Sequence, residues 1–106
     1  MTTKHISIAT DFSPYPSGRY RDDGPFPGQA FRQDILAPAL RDFEEVTVDL
    51  DGTNGFGSSF LEEAFGGLIR EEGFSLDMLK RRLHIKSSRQ SYEMRIWGYI
   101  DEAVLH

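Results

Sequence analysis

Apolar residues recur along this chain with two distinct periods. His5-Ile6-Ser7-Ile8-Ala9 alternates apolar and polar, and so does Val46-Thr47-Val48-Asp49-Leu50. A period of two puts one set of side chains on a buried face, which predicts a strand in each segment. Phe31, Ile35, Leu36, Ala39, Leu40 and Phe43 recur at helical spacing, as do Phe60, Leu61, Ala64, Phe65, Leu68 and Ile69, which predicts two amphipathic helices. Pro38 lies inside the first. It removes a backbone donor and crowds the carbonyl four residues back, so a kink or a restart is expected there. Gly73 is a natural stop for the second.

Ser75 is placed to cap a third, short helix with Leu76, Leu79 and Leu83 facing inward, and Leu83-His84-Ile85 predicts a last short strand. Ser87 and Gln90 have capping-box spacing. They are expected to open a final helix striped with Tyr92, Ile96, Trp97, Ile100, Ala103 and Val104. Residues 11–28 fit neither period. Pro14, Pro16, Pro25 and Pro27 interleave there with Gly18, Gly24 and Gly28, and the stretch carries Tyr15, Arg19, Tyr20, Arg21 and Phe26. A connection this long suits a functional loop, and these residue types suit a contact surface; a loop that packs its own aromatics, or a short irregular hairpin, is the alternative. The order strand, loop, helix, strand, helix, helix, strand, helix predicts an α/β fold. It implies a small mixed sheet with mostly parallel crossovers and helices packed mainly on one face.

A length of 106 residues fits one domain spanning 1–106. The absence of cysteine excludes disulfides and thiolate metal sites and suits a reducing compartment. His5, His84 and His106 have no metal-binding spacing, so neither a metal nor another cofactor is expected. The formal net charge of −5 argues against nonspecific nucleic-acid binding. Lys80, Arg81, Arg82, Lys86 and Arg89 make the second half locally basic, which reads first as a solvated helix face. No apolar run is long enough to cross a membrane, and Met1-Thr2-Thr3-Lys4-His5 lacks a signal-peptide core. The expected location is the cytoplasm.

Chemistry concentrates where the second strand meets the second helix, through Asp49-Leu50-Asp51-Gly52-Thr53-Asn54-Gly55-Phe56-Gly57-Ser58-Ser59. In open α/β sheets, sites favour the carboxyl ends of strands. Ser59 and Glu62 have capping-box spacing, which would leave the Ser58 hydroxyl just outside the helix. Gly66-Gly67 inside a good helix costs about 1 kcal/mol per glycine relative to alanine, so close packing or close approach of another chain is expected to compensate. Three functions compete. A helix start can bind an anion or a nucleotide at Ser58 and Ser59, although the phosphate-loop lysine is missing. Asp49-Leu50-Asp51-Gly52-Thr53 resembles the nucleophile motif of haloacid-dehalogenase phosphatases, with Asp49 as the attacking group, but no acidic pair follows at a later strand. The third reading is a switch or docking loop.

From about residue 28 to residue 73 the chain resembles the STAS-like family of bacterial domains of unknown function. The resemblance rests on Phe31, Leu36 and Leu40, on Val46-Thr47-Val48-Asp49-Leu50-Asp51-Gly52, and on Ser58-Ser59-Phe60-Leu61-Glu62-Glu63-Ala64-Phe65-Gly66-Gly67-Leu68. It implies a STAS-like fold and kinship with anti-sigma factor antagonists. In those, a hydroxyl residue at the corresponding helix start is phosphorylated by a histidine-kinase-like ATPase partner, and Ser58 takes that place. Gly57 stands where the antagonists carry Asp, and Phe60 where they carry Gly. The function expected is a non-catalytic regulatory interaction module. Its contact surface would be Gly55, Phe56, Gly57, Ser58, Ser59, Glu62 and Glu63 with the preceding loop. Ser58 is the candidate for phosphorylation, and self-association into a homodimer is left open.

Overall fold

In a computed structural model, which describes residues 2–106, three strands form one sheet: β1 (Thr3–Ser7), β2 (Glu45–Asp49) and β3 (Leu83–Lys86). Met1, counted above in the N-terminal stretch, lies outside them. The spatial order is β1-β2-β3 and both pairings are parallel. Ile6, Val48 and Ile85 are in register, as are His5, Thr47 and His84. The first row faces the core and the second faces outward, as the period of two requires. The two crossovers step the same way across the sheet. Connections of one hand then deliver their helices to one face, and the outer face stays polar, with His84 Nε2 2.8 Å from Glu45 Oε1.

The first crossover is helix α1 over residues 28–42. It has α turns at Gly28–Phe31 and Ala37–Asp42 and a wider π stretch at Arg32–Leu36 between them. Pro38 supplies no N–H to the carbonyl four residues back, and the turns before it relax into the longer bonding pattern. The expected kink therefore appears as a π segment within a continuous helix. Arg82 closes the carboxyl end of α1, donating to the carbonyls of Leu40 (2.5 Å), Glu44 (2.8 Å) and Phe43. A cation there satisfies orphan carbonyls and suits the helix dipole.

Helix α2 covers residues 58–70 and also widens at its middle, over Glu62–Gly66. Helix α3 (Leu76–Arg82) starts on Ser75, whose Oγ accepts from the Met78 amide at 3.2 Å. Helix α4 (Gln90–Leu105) packs beside α2. Ile6, Val46, Val48, Phe31, Leu40, Phe60, Phe65, Leu68, Ile96 and Ile100 share one core. Gly28 lets α1 and α2 touch, since a Cβ there would stand 2.5 Å from the Phe60 carbonyl oxygen and 3.1 Å from the Ala64 nitrogen.

Two start signals read from spacing are corrected. Neither Ser59 with Glu62 nor Ser87 with Gln90 forms a capping box: Gly57 caps α2 and Arg89 caps α4, each without a side-chain bond to the helix. Glu62 is drawn away by arginines, and Ser87 Oγ accepts from the Arg89 amide instead. The first strand is also shorter than its alternation suggests. Ile8 begins a single wide helical turn, Ile8–Phe12, stapled by Ser7 and Asp11.

Candidate functional site

The β2–α2 turn, residues 50–57, turns sharply at Gly52 and Gly55, whose φ angles of 95° and 116° lie in the left-handed region that favours glycine. Its glycines deliver the chain to an α2 whose first residue is Ser58, so Ser58 lies in the opening turn and not outside it. Gly57, Ser58 and Ser59 are exposed, Gly55 and Glu62 are half-buried, and Phe56 and Glu63 are interior. Phe56 packs edge-on against Tyr92 at 5.3 Å and donates its amide to the Tyr92 hydroxyl at 3.4 Å. These contacts fix the turn to the first turns of α4.

The long connection before α1 is an ordered strap. Ser17 donates to the Phe26 carbonyl, Gly28 to the Gly18 carbonyl, and Asn54 of the β2–α2 turn to the Pro14 carbonyl, each within 3.0 Å. Phe12 joins Phe26 to Phe31 and Phe60. Tyr15 and Tyr20 are left 67% and 52% exposed. The loop packs Phe12 against the core, sets the exposed Phe26 edge-on against it and presents Tyr15 and Tyr20 outward.

Arg19 fastens the strap to α2, donating to Glu62 and, at 3.3 Å, to Glu63. Arg70 reaches the same two carboxylates. Burial pushes the Glu62 carboxyl up, but the hydrogen bonds from Arg70 and Arg19 outweigh it and hold the group below the ordinary carboxylate range. The Glu62 bond likewise keeps Arg19 and Arg70 charged to higher pH than a free guanidinium. Deeper in, Arg32 donates to Glu63 Oε2 at 2.6 Å, to the Glu63 carbonyl at 2.7 Å and to Glu72 at 3.0 Å. Arg41 also binds Glu72. The Glu62–Glu63 pair is therefore not a free acidic face beside Ser58.

That cluster explains Gly66-Gly67. A Cβ at Gly67 would overlap Arg32 Nη1 and stand 2.9 Å from Cζ, and one at Gly66 would stand 2.7 Å from Glu62 Oε2. The close approach expected at these glycines comes from an arginine of α1 at Gly67 and from the Glu62 and Arg70 side chains of α2 itself at Gly66. Sequence reasoning passed over Arg32 because it looks like an ordinary helix cation. The paired glycines in α2 were the available signal.

Asp49 and Asp51 have structural work. Asp49 Oδ1 accepts from the Asp51 amide at 3.0 Å, and Asp51 Oδ1 accepts from the Ser88 amide and hydroxyl, both at 2.9 Å. Among the described residues, no group of three or more acidic, histidine or cysteine side chains is arranged to hold a metal ion. Among these residues, no helix is long and apolar enough to cross a membrane.

A parallel three-stranded sheet covered by helices on one face, with a glycine-rich turn opening a helix at the carboxyl end of the central strand, defines a small α/β domain of STAS-like type. Residues 27–93 match the family model described as STAS-like domain of unknown function (DUF4325), and the chain belongs to that family. The match begins inside the strap and ends in the first turns of α4, so it contains the β2–α2 turn and all of α2. No curated protein and no solved structure matches the chain.

Proposed function

We propose that this domain is a non-catalytic interaction module that acts as a regulatory switch, docking a protein partner at the start of α2. The observation that carries this reading is the exposure of Gly57, Ser58 and Ser59 at the carboxyl end of the central strand, on a turn held rigid by Tyr92 and by the strap. Docked surfaces that are ordered before binding lose less entropy on association. The contact surface is redrawn from the sequence expectation. Phe56 and Glu63 support it from inside, Glu62 is bound to Arg19 and Arg70, and Tyr15 supplies exposed aromatic area beside the turn.

The partner class we favour is a histidine-kinase-like ATPase, with Ser58 as the residue whose modification controls binding. A phosphate there would add about −1.5 to −2 charge at a helix start whose dipole accepts it. Glu62, one turn on, is already neutralised by two arginines, so the fold should tolerate the modified residue. Affinity capture from the native host, wild type beside Ser58→Ala and Ser58→Glu, tests the reading. An ATPase-domain protein retained by wild type and Ser58→Ala and lost by Ser58→Glu supports it. Equal retention by all three removes the switch.

A further inference from the structure

The loops that follow β2 and β3 border a cavity of about 240 Å³, open to solvent on one side, at the carboxyl end of the sheet. This is where parallel α/β sheets place ligands, and the cavity is distinct from the exposed start of α2. Gly52, Asp51 and Asn54 line one side, and Ser88, Arg89 and Tyr92 line the other. Both hydrogen bonds that Ser88 donates to Asp51 fall on Oδ1. They hold the Asp51 carboxyl below its ordinary range, so it is ionised at neutral pH, and Oδ2 keeps its capacity to accept. Lys86 adds to this through space, but its ammonium leans towards Asp49, 3.9 Å away.

Arg89 forms no ion pair with any of the described residues, although it shares the cavity with Asp51. Its guanidinium stands 5.9 Å from the Tyr92 ring centre. A carboxylate with a spare oxygen and an uncompensated guanidinium thus line one small space without meeting. A simple anion entering would be repelled by Asp51, and a simple cation by Arg89. A molecule carrying both charges on groups separated by a single carbon satisfies both walls.

We propose that this cavity binds a free α-amino acid, with its carboxylate on Arg89, its ammonium on Asp51 Oδ2 and its side chain against the Tyr92 ring. The guanidinium fork matches a carboxylate in two parallel hydrogen bonds. The volume is below the roughly 300–1,000 Å³ of drug-sized pockets, which favours a small amino acid over a nucleotide. A peptide is disfavoured because its two charged ends lie on different residues. The proposal stands independently of the docking site at Ser58.

Titration of the ¹⁵N-labelled full chain with L-alanine tests it, with acetate and methylammonium as single-charge controls. The expected result is saturable amide shifts confined to Gly52, Asn54, Ser88 and Arg89 and their neighbours, at an affinity at least about tenfold above either control. Arg89→Gln, at an exposed position, should leave the folded spectrum in place and weaken L-alanine at least about tenfold, as should Asp51→Asn. Three results would overturn the proposal: no localised shifts up to about 100 mM, acetate binding as tightly as L-alanine, or unchanged affinity in Arg89→Gln.

Discussion

Arg32 Nη1 lies 2.6 Å from Glu63 Oε2, with 1% of the arginine side chain and 5% of the glutamate side chain left to solvent. Two charges taken this far from water are tolerated only when their hydrogen bonds are filled. Here they are, since Arg32 also binds the Glu63 carbonyl and Glu72, and no buried side-chain polar atom among the described residues lacks a partner. The pair joins α1 to α2 directly beneath the residues that Arg19 ties to the strap. Through Glu63, which also accepts from Arg19, the pair and the strap meet on the helix that opens at Ser58.

Breaking that pair from one side should be costly. Glu63→Ala takes the nearer carboxylate from the interior guanidinium, leaves Glu72 as its charged partner, and is expected to lower unfolding free energy by about 3 kcal/mol. Replacing both partners, Arg32→Met with Glu63→Leu, should recover most or all of the loss. Chemical denaturation of the three proteins at neutral pH reads both effects.

Glycine substitutions should separate by what a Cβ would meet. Gly98→Ala, in α4 with open space around it, should stabilise by about 1 kcal/mol through helix propensity. Gly67→Ala has the same propensity gain but displaces a guanidinium held by three acceptors, so it should destabilise. In an Arg32→Met background its sign should reverse. Gly28→Ala meets backbone and not a movable side chain, and it should destabilise in every background. Midpoints of urea unfolding decide each case.

Acid should loosen the arginine cluster only after ordinary surface glutamates have begun to protonate. The folded-state carboxyl groups of Glu62 and Glu72 sit below their ordinary range: burial raises both, and the hydrogen bonds from Arg70 and Arg19, or from Arg41 and Arg32, more than offset it. A depressed folded value means that the unfolded chain binds protons first. The stabilisation is fully present above the ordinary glutamate range, about pH 5, and is lost as pH falls through and below about 4. Arg19→Gln and Arg41→Gln should each flatten this acid limb. Thermal melts between neutral pH and about pH 3 measure it.

Tyr92→Phe isolates the bond that fixes the β2–α2 turn. The ring contact with Phe56 survives and the acceptor for the Phe56 amide disappears. Global stability should change by about 1 kcal/mol, while hydrogen exchange at Phe56 and Gly57 accelerates beyond what that change explains. Unchanged local exchange would show that the turn holds its shape without Tyr92.

The periodicities carried most of the fold because they depend on burial alone. Val46 and Val48, or Phe60, Leu61, Ala64, Phe65 and Leu68, must face a core whatever their neighbours do, and all are buried. Ser75 capped as expected because nothing nearby competes for its hydroxyl. Ser59 with Glu62 did not, because a capping box is a local contact and Arg19, 43 residues earlier, outcompetes it. The site was legible as a place and less so as a surface. Glycine spacing marked residues 52–57, but the burial of Glu63 depends on Arg32 crossing from another helix, a pairing 31 residues apart that no local pattern encodes.

The equilibrium affinity of the captured ATPase partner for wild type, Ser58→Ala and Ser58→Glu, measured by calorimetry at fixed ionic strength, tests the central claim most directly. Tight binding by wild type and Ser58→Ala, with at least about tenfold loss in Ser58→Glu, is the result predicted for a switch at the start of α2. Equal affinity across the three proteins, with Ser58→Glu as stable as wild type, would contradict it.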